Sequence, residues 1–235
     1  MNMEIISRRR TELMGFAAVW IAVLHGPLWF RTVPLSLYKA SGYCGVEMFL
    51  FLSAFGLYYS YHSRRTTAVE FFRRRILRLL PAVIAVSLFS MIVMNNKIWN
   101  MLSCYWLLGF FWRKDITAWF LPAIIVLYAV SPLYLKYFHS GREEKMTAAA
   151  MAAGLLLGLL LRNSYRIVFY FRIPVFFLGF LAGKYSYEKR QIPARTAAAG
   201  FLVMLAAMLR RDWSSSAQFI WKTSSVAMAL NWNCV

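Results

Sequence analysis

The sequence predicts an all-α fold: a polytopic bundle of about seven to eight transmembrane helices, forming one membrane domain over residues 1–235. Three observations carry this. Of the 235 residues, 60% are hydrophobic, 17% aromatic and only 15% charged, whereas a soluble domain is about half apolar and about a quarter charged. The apolar residues gather into runs of bilayer-crossing length, about 20 residues each. The bases behind a formal net charge of +18 collect in the short gaps between those runs, which is the positive-inside pattern. Once the spans are removed no basic domain remains, which argues against nucleic acid as a partner.

Taken in order, residues 1–10 are basic and polar and are placed in the cytoplasm. Residues 13–30 form the first span. No small-residue cleavage signal follows them, so they read as a retained helix rather than a signal peptide. Residues 31–44, with Pro34 and Gly42, make a short outer loop. Residues 45–61 are the second span, with Glu47 near its outer end. The segment His62 to Pro81 carries Arg64, Arg65, Arg73, Arg74, Arg75 and Arg78 against one acid, Glu70, and is assigned to the cytoplasm.

Residues 79–94 are the third span and 95–100 a polar outer turn. Residues 101–112 are apolar but short for a crossing, as re-entrant or interfacial segments are. Residues 119–138 form a clear span, followed by H-S-G-R-E-E-K. Residues 146–161 form another, with Gly154 and Gly158 at the small-xxx-small spacing that lets helices approach. Arg162, Arg166 and Arg172 lie in the next connection, and residues 173–183 are a short, tilted span. Residues 184–195 hold four bases in a loop, 197–209 are one more span, and the tail 218–235 is moderately apolar and contains Lys222. Two topologies compete. If 101–112 do not cross, the loops at 139–146 and 184–195 are cytoplasmic; if they cross, both flip outside. The first puts more Lys and Arg inside and is preferred.

Few residues can carry chemistry. Cys44, Cys104 and Cys234 give no disulfide framework and no zinc spacing, so no metal is expected. His25 lies about fourteen residues into the first span, roughly 21 Å deep. An ionisable group there marks a functional site, or else a histidine hydrogen-bonded between helices. Glu47 is its natural partner. A short loop joins spans one and two, so they are antiparallel neighbours, and both groups fall in the same outer half of the membrane. A carboxylate beside an imidazole fixes its tautomer and stabilises its protonated form, as a general base requires. The other reading of Glu47 is an interfacial carboxylate facing water. Arg75 and Arg78, three apart, share a helix face, and Arg74 lies at i,i+4 to Arg78. They suit an anion at the membrane face, or serve as topology signal and lipid-phosphate contact. His62 and His139 read as solvated loop residues.

Four stretches in this order resemble the acyltransferase 3 family of membrane O-acyltransferases: R-T-E-L-M-G-F-A-A-V-W-I-A-V-L-H ending at His25, G-Y-C-G-V-E-M-F-L-F-L-S-A-F-G-L at 42–57, F-F-R-R-R-I-L-R-L-L-P at 71–81, and W-F-L-P-A-I-I-V-L-Y-A-V-S-P-L-Y at 119–134. A weaker fifth is R-I-P-V-F-F-L-G-F-L-A-G-K-Y at 172–185, after which the resemblance fades. It implies transfer of an acyl group, usually acetyl, from acyl-coenzyme A as co-substrate to a hydroxyl of a carbohydrate or related surface molecule, at the cell membrane. It implies His25 as general base and the R-x-x-R arginines, Arg75 and Arg78, as holders of coenzyme A phosphates. The family's basic residue about eleven before the histidine is here Met14, with Arg10 the nearest base, and its L-S-G-F is here L-S-A-F. The rival class is a carrier or flippase for an anionic lipid or glycan. A further expectation is that the chain is truncated at its C-terminus and transfers little by itself.

Overall fold

The computed structural model describes residues 4–25, 41–63, 119–138, 141–161 and 166–190, and within 69–88 residues 69–70, 72–77, 79–81, 84 and 88. Among the described residues all regular structure is helical, with no strand. The helices are α1 Glu4–His25, α2 Tyr43–Ser63, α3 Phe120–Tyr137, α4 Glu143–Leu160, α5 Ile167–Tyr170 and α6 Ile173–Tyr187. The chain forms two compact units. The first comprises Met1–Arg64, Phe138–Leu157 and Phe171–Leu209; the second comprises Arg65–Tyr137, Gly158–Tyr170 and Arg210–Val235.

In the first unit, glycines set how the helices meet. α1 runs antiparallel to α2, as the short loop predicts. A Cβ on Gly45 would fall 2.9 Å from the Ala17 carbonyl oxygen and 3.0 Å from Ile21 Cγ1. At the other end of the same pair, Arg10 lies over Gly56 so closely that a Cβ there would be 1.4 Å from Nη1. α2 and α6 run parallel and form the most extensive helix contact. A Cβ on Gly179 would lie 2.4 Å from the Phe51 carbonyl oxygen and 2.9 Å from Ala54 Cβ, and one on Gly183 would lie 3.0 Å from Tyr58 Cβ. α4 packs antiparallel on α6, where a Cβ on Gly154 would meet Ile173 at 2.9 Å. Small residues matter here because lipid offers apolar side chains no incentive to associate, so packing depends on close backbone approach. Gly154 plays the part its spacing predicts. The Gly179 and Gly183 pair, which forms the tighter seam, was not singled out from sequence.

The unit therefore has two ends. One gathers the C-terminus of α1 with the N-termini of α2 and α6, and is called the His25 end. The other gathers the C-termini of α2 and α6 with the N-terminus of α4, and is called the Lys184 end. The chain leaves the Lys184 end at Ser63 and is back there at Phe138, whose ring lies 5.5 Å from Lys184 Nζ. The loops after α2, before α4 and after α6 thus share one side.

Polarity is arranged for a lipid solvent. Phe16 and Val19 of α1 and Leu156 and Leu157 of α4 face outward, while Glu47, Ser53, Glu143, Thr147 and Lys184 are buried. Among the described residues, two helices are long and apolar enough to cross a membrane, Phe120–Tyr137 and Ile167–Tyr187. The second joins α5 to α6 through Arg172, with Pro174 in the first turn of α6, where its missing N–H costs nothing. α3, in the second unit, contains Pro132, and Ser131 Oγ donates to the Leu127 carbonyl at 2.6 Å beside it. Most of 79–94, and all of 101–112 and 197–209, where other spans are expected, lie outside the described residues.

Two loop assignments are corrected, those of His62 and Lys184. α1 starts at Glu4, so Arg8, Arg9 and Arg10 are helical. Helix formation continues past the apolar run because the exposed Arg9–Glu12 pair, 2.8 Å apart, supports the turn. His62 belongs to the last turn of α2, stacked on Tyr58 with centroids 4.1 Å apart. Lys184 is not a loop base but a buried residue of α6. There it finds a carboxylate partner, which offsets part of the cost of taking its charge out of water.

Candidate active site

The His25 end is built by three helices. His25 is the last residue of α1; its backbone is described and its side chain is not. Glu47 stands in the second turn of α2 and is 5% exposed. Its Oε2 is buried and makes no hydrogen bond among the described residues. The contact of Gly45 with Ala17 and Ile21 fixes the register of the two helices. His25 lies one turn beyond Ile21, and Glu47 two residues on the other side of Gly45. The pair therefore shares one end of the unit, with an axial offset of about 9 Å between backbones at 1.5 Å per residue.

Sequence reading left out a third group. Arg172, taken as a loop base, is the N-cap residue of α6 and is 8% exposed. It is the charged neighbour acting on Glu47, and both act on the Cys44 thiol. The signal was present in R-I-P-V: an arginine directly before the Pro-led first turn of an apolar helix belongs to the helix end.

Arg10 lies at the opposite end, about 22 Å from His25 along α1. It fills the notch over Gly56, and does not stand near the imidazole as a base closer in sequence would. Ala54, in place of the family's glycine, is accommodated because it faces Gly179 on α6.

The arginine segment belongs to the second unit. Residues 72–77 are helical, with Arg73 and Arg74 exposed and Arg75 half-buried. The Arg74 guanidinium pairs with Glu70 one turn back, so it would exchange partners to take a phosphate. Arg78 lies outside the described residues, and the shared face of Arg75 and Arg78 remains a sequence reading.

The Lys184 end holds a polar cluster. Lys184 Nζ is 3.2 Å from Glu143 Oε1 and 3.8 Å from Glu188 Oε1. Arg190 Nη1 reaches the same Glu143 oxygen at 3.4 Å, and its Nε reaches Glu188 at 3.0 Å. The Tyr185 hydroxyl donates to Glu144, and Tyr59 and Ser186 share a hydrogen bond of 2.8 Å. Burial works to raise the Glu143 pKa. Backbone N–H groups and the Lys184 ammonium outweigh it and hold the carboxyl below its ordinary range. Arg190 is brought there by the end of α6. Lys189 takes a φ of 54°, Arg190 N bonds Tyr185 O at 2.8 Å, and Lys189 N bonds Ser186 O at 3.2 Å. This is a Schellman turn with lysine at the position glycine usually takes. No group of three metal-ligating side chains occurs among the described residues.

Fold and sites together define a helical membrane protein with ionisable groups buried between its helices. The chain belongs to the acyltransferase 3 family, whose acyltransferase-domain model matches residues 13–232. No curated protein and no solved structure matches it significantly. The match runs past residue 185, correcting the reading that the resemblance fades there.

Proposed function

We propose that this acyltransferase moves an acyl group, acetyl as the family resemblance implies, from acyl-coenzyme A to a hydroxyl of a carbohydrate or related acceptor at the cell membrane. The observation that carries the reading is Glu47, a buried carboxylate with an unbonded oxygen, at the end of the unit where α1 delivers His25. Arg75 and Arg78, with Arg74, bind the coenzyme A phosphates through charge-assisted hydrogen bonds. The flexible pantetheine arm carries the acyl group from these arginines to the general base.

At the His25 end the imidazole, oriented by Glu47, takes the proton of the acceptor hydroxyl. The oxygen attacks the thioester carbonyl carbon, the C–S bond breaks, and the thiolate leaves and recovers a proton. The products are the acyl ester and free coenzyme A. A positioned base supplies about 10²–10⁴-fold, so positioning of the two substrates supplies much of the rest. The test is direct: purified protein in detergent with labelled acetyl-coenzyme A, assayed for hydrolysis and for transfer to carbohydrate acceptors. Absence of both from well-folded protein overturns the reading.

A further inference from the structure

The buried charge at the His25 end needs an explanation. A carboxylate taken out of water is costly unless it is paired, and Glu47 lies between apolar helices. Among the described residues of this unit, the charged and titratable groups at this end come from three elements. α2 itself offers Cys44, α1 ends in His25, and α6 begins with Arg172. The stretch of α4 that packs here, Met-Ala-Ala-Gly-Leu-Leu-Leu at 151–157, offers none.

Helix register places Arg172 beside Glu47. α2 and α6 are parallel, and Gly179 faces Phe51 and Ala54. Arg172 precedes Gly179 by seven residues, and Cys44 and Glu47 precede Phe51 and Ala54 by the same seven. Two turns back along both helices therefore brings the guanidinium level with the carboxylate. Both residues are more than nine-tenths buried, so their charges interact with little screening. The turn between α5 and α6 holds Arg172 in place, because Phe176 N bonds the Arg172 carbonyl at 3.3 Å and Pro174 stiffens the first turn.

Resting on the acyl-transfer reading, we infer that Arg172 is a positioning residue of this site: it keeps Glu47 ionised and oriented, leaving the second carboxylate oxygen for the His25 imidazole. Without it, a carboxyl in this apolar setting keeps its proton at neutral pH. A neutral Glu47 no longer stabilises the imidazolium that forms when the acceptor hydroxyl gives up its proton.

The experiment compares Arg172→Met, Arg172→Lys, Glu47→Gln and the double variant Arg172→Met with Glu47→Gln, in detergent. Infrared spectra at neutral pH report the carboxyl directly and need no activity. A protonated-carboxyl band is expected in Arg172→Met, absent from the wild type, from Arg172→Lys and from the double variant. Transfer is expected to fall about 10- to 100-fold in Arg172→Met, within the range a base contributes, and to recover partly in Arg172→Lys. Its pH profile should lose the limb that Glu47→Gln also lacks. Should Arg172→Met fail to accumulate, the double variant, with no stranded charge, is expected to restore it. No carboxyl band in folded Arg172→Met, or a double variant no more abundant than a failing single, overturns the pairing. A wild type that transfers nothing overturns the acyl-transfer reading alone, since the infrared comparison still decides the pair.

Discussion

Single residues separate chemistry from packing. His25→Ala is expected to abolish transfer while membrane insertion and abundance stay nearly unchanged, measured by acyl transfer beside expression level. Turnover kept by a well-expressed variant makes His25 a packing residue. Arg75→Ala with Arg78→Ala is expected to weaken acyl-coenzyme A binding by about 1.5–3 kcal/mol per lost contact, with acceptor affinity little changed. Calorimetry with each ligand checks this, and equal weakening of both returns the segment to topology signal. Gly179→Leu has a structural signature instead. Its side chain must enter where the Phe51 carbonyl already lies 2.4 Å from a Cβ position, and overpacking of this kind costs about 1–3 kcal/mol or more. Thermal unfolding in detergent should show it, with the same change at Gly15, which has open space, almost silent. His25 and Glu47 were legible in sequence because an ionisable residue in an apolar run is conspicuous. Arg172 was not, because a base beside a span looks like any positive-inside loop residue.

At the scale of helices, the Lys184–Glu143 pair fastens the end of α6 to the start of α4. When either is lost, Glu143 keeps Arg190 and Lys184 keeps Glu188, so Glu143→Gln or Lys184→Met is expected to destabilise the fold by about 1.5–3 kcal/mol, the worth of a hydrogen bond to a charged group. Replacing both with apolar residues is expected to cost much less. The pair also makes stability depend on pH. The Glu143 carboxyl is held below its ordinary value of 4.5 in the folded state. Its contribution is therefore fully present above that value and is lost as pH falls through the folded pKa. Unfolding temperatures measured from neutral pH into the acid range should show this limb in the wild type and lack it in Glu143→Gln. Neither residue stood out in the sequence. Glu143 reads as a turn acid and Lys184 as a loop base, and only the antiparallel packing of α4 on α6 brings them together.

For the whole molecule, the shared Lys184 end makes a prediction about sidedness. With Cys44, Cys104 and Cys234 replaced, single cysteines introduced at Ser63 and at Lys189 should react with an impermeant thiol reagent from the same side of the membrane. The positive-inside pattern assigns that side to the cytoplasm, so labelling is expected only after the cells are opened. Cys44 kept as the single thiol should react from the other side. Labelling of Ser63 and Lys189 positions from opposite faces contradicts the parallel packing of α2 and α6.

The sequence by itself determined the class: apolar runs too long and too poorly charged for water, bases confined between them, and a family pattern recognisable from its motifs. These are properties of composition and spacing along one dimension, set by the thickness and polarity of the bilayer. Which polar residues meet was decided only by tertiary structure. Hydropathy says that a helix must be buried in lipid or protein, but not which face turns inward or at what height a neighbour crosses it. Here the glycine notches at Gly45, Gly179 and Gly183 set those heights. Through them Arg172 comes level with Glu47 and Lys184 comes within reach of Glu143, because charges buried between helices are stable only where close backbone packing brings their partners to them.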